Sequence, residues 1–276
     1  MTGDGQIDID GYFARIGLDA PRRPSLEALN AIAAAHVASM PFNNLGILRG
    51  HPIGLDPASL NRKLITQGLG GYCFEQNGVL EHVLTALGYA VTPLGARVRL
   101  EAPRSVVPPR THFFLRVDLD GAAWLVDVGF GALSLTSAIR LERDSVQPTP
   151  HEPRRIVEED GQVYHQFLRA GLWCDAYEFT LDRMPPIDRE LANWWTSTSP
   201  ASRFRNRLIV ARSGPNGTRL TIDDDKFTIR GAEGVGDSRT IGSPAELLAV
   251  LDRHFGLSFP AGTHFDIPEY SWPTAR

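Results

Sequence analysis

Gly70-Gly71-Tyr72-Cys73-Phe74-Glu75-Gln76-Asn77 sets a cysteine directly after two glycines and ahead of a stretch with helical apolar spacing. The glycines let the backbone turn tightly, so a helix can start at or just before Cys73. A thiol there sits at the positive end of a helix dipole, facing backbone N–H groups that no helical carbonyl takes up. Both effects favour the thiolate, the nucleophilic form of cysteine. The same N–H groups are placed to hold an oxyanion during acyl transfer. On local sequence alone, this chemistry stands level with burial of Cys73 as a small apolar side chain, the common fate of a free cysteine.

A base for the thiol comes from a hairpin. Asp120-Gly121 is a two-residue turn signal between alternating segments. With that loop, Leu119 faces Ala122 and His112 faces Gly129. Asp127 then projects from the same face as His112, diagonally adjacent and within hydrogen-bonding reach. Gly129 opposite leaves the ring room to turn, whereas a bulge or a three-residue loop would part the two side chains. Asp127 would hold one ring nitrogen and stabilise the protonated imidazole, and the other nitrogen would face the thiol. The plainer reading is a surface histidine beside a solvated carboxylate.

The elements that must position these residues fall into three stretches. Leu26, Leu29, Ile32, Ala33 and Val37 recur at helical spacing before Pro41. Asp56-Pro57 opens a second helix carrying Leu60 and Leu64. The third follows Gly70-Gly71, turns Val79, Leu80, Val83, Leu84 and Leu87 inward, and ends at Gly88. Alternating segments then predict strands at 96–100, 112–119, 124–128, 163–168 and 173–181, an antiparallel sheet or small barrel. Residues 183–188, with Pro185-Pro186, read as a linker. Beyond it, 191–195 reads as helix, 207–212 and 218–223 flank a Gly-Pro-Asn-Gly turn, and Ser243-Pro244-Ala245-Glu246 forms a capping box.

Composition narrows the functional classes. The 276 residues are 42% apolar and 22% charged, ordinary for a globular chain of one or two domains. A net charge of −4 and a pI near 6.1 argue against broad nucleic-acid binding. No apolar run is long enough to cross a bilayer, and residues 1–5 carry no export signal. Two cysteines are not a disulfide framework, so a cytoplasmic chain with reduced thiols is expected. No Cys-x-x-Cys or His-Glu-x-x-His spacing points to a metal, and no Gly-rich phosphate loop is present. Cys174 reads as structural, and Trp194-Trp195 as core or lid packing.

The motif at 70–77, with Arg110-Thr111-His112, Val126-Asp127-Val128-Gly129-Phe130-Gly131 and Pro41-Phe42-Asn43-Asn44-Leu45, resembles the arylamine N-acetyltransferase family. The resemblance runs along the chain and weakens after about residue 185. It implies an α+β fold with the triad arranged as in cysteine proteases. A helical domain over 1–89 would carry Cys73, an antiparallel β-barrel over 90–186 would carry His112 and Asp127, and an α/β lid would span 187–276. It also implies ping-pong transfer from acetyl-CoA, a co-substrate rather than a tightly bound cofactor, to an arylamine or hydrazine. Thr111, Gly129 and Phe130 become pocket residues by family position, with Phe42 and Phe204 as candidates to stack on the acceptor or CoA. Arg203, Arg205 and Arg207 either reach CoA phosphates or form a solvated basic face. No membrane or nucleic-acid partner is expected, and a homo-oligomer is left open.

Three other activities are compatible with the residues: an amide synthase of the same family acting on a carrier-bound polyketide, a cysteine hydrolase or transglutaminase-like enzyme, and a non-catalytic binding or redox-sensing protein. Two positions depart from the family pattern. Leu69 stands where relatives carry Arg, and Asn43 where they carry Glu. Loss of both charges is tolerable where loss of one would strand the other, so the two changes read as concerted.

Overall fold

Ser25, Asp56 and Ser243 each open a helix by accepting a backbone N–H three residues on, at 3.1, 2.9 and 3.2 Å. The computed structural model describes residues 5–100, 102–231, 236–268, 270 and 272; residues 1–4, part of the stretch read for an export signal, lie outside it. The helices are α1 (Ile9–Ile16), α2 (Leu26–Ser39), α3 (Leu45–Leu48), α4 (Pro57–Leu60), α5 (Cys73–Ala86), α6 (Pro186–Thr198), α7 (Arg203–Asn206) and α8 (Pro244–Val250). Helices α4 and α8 run on into wider π-type turns at Asn61–Thr66 and Leu251–Phe255.

Helix α5 is the centre of the N-terminal part. Cys73 to Leu80, then Val83 and Leu84, are all buried, polar residues included. A helix enclosed on every side must pair its polar groups internally, and these polar residues build the site. Leu60 and Leu64 join the same apolar core, and Phe74 stacks on Phe113 of the neighbouring sheet with centroids 6.2 Å apart.

That sheet has seven antiparallel strands: β2 (Ala90–Val98), β3 (His112–Leu119), β4 (Ala122–Val126), β5 (Ile139–Arg140), β6 (Arg154–Glu159), β7 (Gln162–Arg169) and β8 (Leu172–Arg183), in the order β5-β4-β3-β2-β8-β7-β6. The chain leaving β5 touches β6 through Arg143–Ile156 and Gln147–Arg154 bridges, which nearly closes the sheet into a barrel. Asp120 and Gly121 both adopt positive φ, 49° and 74°, as the tight turn requires, and Leu119 pairs with Ala122 as expected. The second sheet runs β1 (Phe42–Asn43), β9 (Ile209–Ser213), β10 (Arg219–Asp223), β11 (Lys226–Arg230), β12 (Gly236–Thr240). Its core takes Leu45 and Leu48 from the N-terminal part.

Two expectations need correction. Residues 183–188 are no linker: β8 runs through Arg183 and α6 starts at Pro186, because a proline at the first helical turn forfeits no hydrogen bond. Trp194 is 63% exposed rather than packed; the inner face of α6 presents Asn193 and Thr196 instead.

A buried polar chain ties α1, α2 and α5 together. Gln76 Oε1 can only accept, so His36 Nε2–H donates to it at 2.6 Å, and His36 Nδ1 accepts from the Tyr12 hydroxyl at 2.9 Å. Gln76 Nε2 lies within 3.0–3.2 Å of the carbonyls of Met40, Pro41 and Gly71. Burial pulls His36 down to about 4, with the Gln76 bond opposing. The unfolded chain therefore takes up this proton near 6.5 and the folded chain does not. The contribution of His36 is full above 6.5 and falls as pH drops toward 4, by on the order of 3 kcal/mol. The urea midpoint is expected to fall between roughly pH 7 and 4.5, and to fall less in His36→Gln. An equal fall in both proteins would contradict this assignment.

Candidate active site

Asn77 lies one helical turn beyond Cys73, on the same side of α5, and reaches across to the β3–β4 hairpin. Its Nδ2 donates to the Phe113 carbonyl at 2.7 Å and to Asp127 Oδ1 at 2.9 Å, and its Oδ1 accepts from Val128 N–H at 3.0 Å. Asp127 is fully buried and also accepts from Gly129 N–H at 3.1 Å. Its other oxygen accepts from His112 Nε2–H at 2.7 Å, the diagonal pair the hairpin register predicts. Because Nε2 carries the hydrogen, a neutral His112 keeps its Nδ1 lone pair free to take a proton. The ring is fixed between Phe130 and Tyr177, with centroids 4.7 and 5.1 Å away.

Cys73 is the first residue of α5, as expected, but its environment differs from the sequence reading. The thiol is buried, and Sγ–H points at the Thr111 carbonyl 3.8 Å away. Burial pushes the thiol up, the Asp127 and Glu75 carboxylates add to this, and the Phe113 and Phe74 N–H groups oppose it. Desolvation thus outweighs the helix terminus, and Cys73 needs a proton acceptor to become a nucleophile. His112 shares its cleft.

That cleft measures about 1110 Å³ and is lined by Cys73, Thr111, His112, Gly129, Phe130, Phe42 and Phe204. The arrangement suits acyl transfer: a thiol, a base oriented by a carboxylate, backbone N–H groups at a helix start, and aromatic walls. Phe42 and Phe204 pack against each other with centroids 6.0 Å apart. Gly129 has a tighter role than leaving His112 room. A Cβ there would lie 2.7 Å from Cys73 Cα and 2.6 Å from Asn77 Nδ2, so only glycine lets this loop cross the start of α5. Of the arginine trio, only Arg203 faces the cleft. Arg207 pairs with Asp223 and Asp224, each at 2.9 Å, and Arg205 donates to the Ile47 carbonyl at 3.1 Å, so they form no solvated basic face.

The sequence reading missed Asn77, although its spacing of four from Cys73 was a usable signal. It also missed the Arg154–Glu152–Arg219 cluster, whose Glu152 and Arg219 line the cleft and which forms only when the residues leading into β6 reach β10. Asn43 and Leu69 are in direct contact. Asn43 Nδ2 donates to the carbonyls of Leu69 at 2.9 Å and Pro41 at 3.2 Å, and Oδ1 accepts from Leu45 N–H at 3.1 Å. A neutral amide here does the bridging that a charged pair would do between side chains.

The family model described as N-acetyltransferase matches residues 25–263. An arylamine N-acetyltransferase of Escherichia coli K12 is 38% identical, over 93% of this chain and 91% of its own length. The solved structure of the Salmonella typhimurium arylamine N-acetyltransferase superposes with a TM-score of 0.88 at 34% identity, covering 93% of both chains. The Mycobacterium marinum arylamine N-acetyltransferase solved in complex with CoA gives 0.86 at 33% identity, covering 91% of this chain and 93% of its own.

His112→Ala removes the only proposed acceptor for the buried thiol. Iodoacetamide is expected to label Cys73 in that variant more slowly than a model thiol near pH 7, with a midpoint above the ordinary thiol range. Labelling at the wild-type rate would dismiss the pairing. Asn43→Glu sets a buried carboxylate against two carbonyls, and Leu69→Arg places a cation without its partner at a half-buried position. Each alone is expected to lower the melting temperature and the activity, with Asn43→Glu costing about 3 kcal/mol and Leu69→Arg less; unchanged values would refute the concerted replacement.

Proposed function

This chain belongs to the arylamine N-acetyltransferase family and is an acyltransferase, and we propose that it carries the acetyl group of acetyl-CoA to an arylamine or arylhydrazine as a thioester on Cys73. The observation that carries the reading is the His112–Asp127 bond in the cleft that the buried Cys73 thiol also lines. His112 Nδ1 takes the Sγ proton, and the thiolate attacks the acetyl carbonyl. The oxyanion faces the N–H groups at the start of α5. As the tetrahedral adduct collapses, the CoA sulfur leaves with the proton held by His112, and the acetyl group stays on Cys73.

In the second half-reaction the amine nitrogen attacks this thioester and His112 takes the proton the nitrogen sheds. Collapse expels the Cys73 sulfur, which recovers that proton, and the acetyl amide departs. Asp127 keeps Nε2 protonated throughout, which leaves Nδ1 on the reacting side. Phe42, Phe130 and Phe204 give the acceptor ring an apolar wall, and Thr111 and Gly129 complete it. Acetyl-CoA is a co-substrate, and Arg203 on the cleft wall suits its phosphates. Cys73 and Cys174 are both free, which fits a cytoplasmic setting. No helix among the described residues is long and apolar enough to cross a membrane.

Mass spectrometry after incubation with acetyl-CoA tests the first half-reaction. An acetyl adduct is expected on the wild type and absent in Cys73→Ala; a wild type without adduct overturns the reading. Release of CoA without any amine would identify a hydrolase instead.

A further inference from the structure

Glu75 is 1% exposed, yet it is a carboxylate three residues into the helix that Cys73 begins. Its Oε2 accepts from Tyr72 N–H at 3.1 Å, and its Oε1 lies 2.5 Å from Lys63 Nζ. A Cβ on Gly71 would sit 2.5 Å from Oε2, so the backbone at Gly71 lies flat against this carboxylate. Lys63 is tied at a second point, because its carbonyl accepts from Leu69 N–H at 3.0 Å. The side chain reaches Glu75 from the π-type turn Asn61–Thr66, an irregularity that often marks a functional position. One lysine thus holds both ends of the loop leading into Cys73: Leu69 through its carbonyl, Tyr72 through Glu75.

The pair lies outside the substrate cleft. Lys63 and Glu75 line a second, smaller cavity of about 170 Å³ together with Arg49, Arg62 and Leu69, and neither borders the space around Cys73. We propose that Lys63 and Glu75 are positioning residues that set the orientation of Cys73 toward His112 from behind α5, without touching substrate. The role rests on Cys73 being the nucleophile. Glu75 left without Lys63 is a buried charge lacking its cation, and the loop that it holds would move to let water reach it. A shift of that kind at the nucleophile costs about tenfold or more in rate.

The test compares Lys63→Met, Lys63→Arg, Glu75→Gln and the double variant Lys63→Met/Glu75→Gln. Two quantities are read in each: the iodoacetamide rate at Cys73 across pH, and the dissociation constant of CoA. Lys63→Met is expected to slow labelling about tenfold and move its midpoint to higher pH, with the CoA constant unchanged. Lys63→Arg stays near wild type. The double variant recovers part of the loss, because the amide oxygen introduced by Glu75→Gln still accepts from Tyr72 N–H and no charge is stranded. Ethylammonium, small enough for the 170 Å³ cavity, is expected to restore labelling in Lys63→Ala.

Wild-type labelling by folded Lys63→Met overturns the proposal, as does a double variant no better than the product of the singles. If Lys63→Met fails to fold, the double variant and the ethylammonium rescue decide the matter. Labelling does not depend on acetyl transfer, so a wild type that forms no acetyl adduct would defeat the proposed function while these measurements still judged the pair.

Discussion

The bond from Asn77 to Asp127 joins the two halves of the site. Asp127 and His112 sit on a hairpin, and Cys73 begins a helix that reaches the hairpin from a different part of the chain. The Asn77 amide spans the gap with three bonds, to Phe113, Asp127 and Val128. It also completes the set of donors around a buried carboxylate that would otherwise be expensive to keep. Distances within a hairpin are fixed by its register. Distances between a helix and a hairpin are not, and that is where Asn77 acts.

Around this joint, polar groups buried in α5 add to the apolar contacts that seat the helix. Gln76 gathers three carbonyls, Glu75 takes Lys63 and the Tyr72 N–H, and Asn77 holds the hairpin. Apolar packing tolerates small slides, whereas hydrogen bonds specify direction. The Cys73 thiol and the His112 ring, which share one cleft but sit on different elements, gain from the stricter kind of contact. Asn43 extends the same principle to the preceding loop, where its amide donates to the carbonyls of Pro41 and Leu69.

Much of this was legible in the chain itself. Asp120-Gly121 fixed the strand register and hence the His112–Asp127 pair, because a two-residue turn admits few alternatives. The caps at Asp56 and Ser243 marked true helix starts. Strand β6 escaped because it opens with Arg154, buried at 1% on the same face as Ile156, and an arginine reads as polar and outward. Strand β2 begins six residues before the segment that alternation picked out; Pro93 interrupts the pattern, and a register shift lies between Leu94 and Ala96. The thiol was misjudged because a helix terminus is visible in sequence and desolvation is not. Lys63–Glu75 and Arg219–Glu152 depend on irregular turns and long-range packing, which no local period encodes.

The two-residue strand Phe42–Asn43 carries a consequence for how the molecule can be divided. On one side it meets Gly71, through Asn43 N–H to the Gly71 carbonyl at 2.9 Å. On the other it forms the edge of the C-terminal sheet, pairing with Val210 and Ala211, while Asn44 holds the carbonyls of Phe204 and Arg207. The segment is therefore shared property. A chain cut after the barrel would leave this short strand with one edge bare and the Asn44 amide without its acceptors, directly beside the loop that presents the thiol. Recombination that exchanged the last third of the chain for a foreign one would have to supply a matching strand at 209–213 or lose the footing of the loop before Cys73.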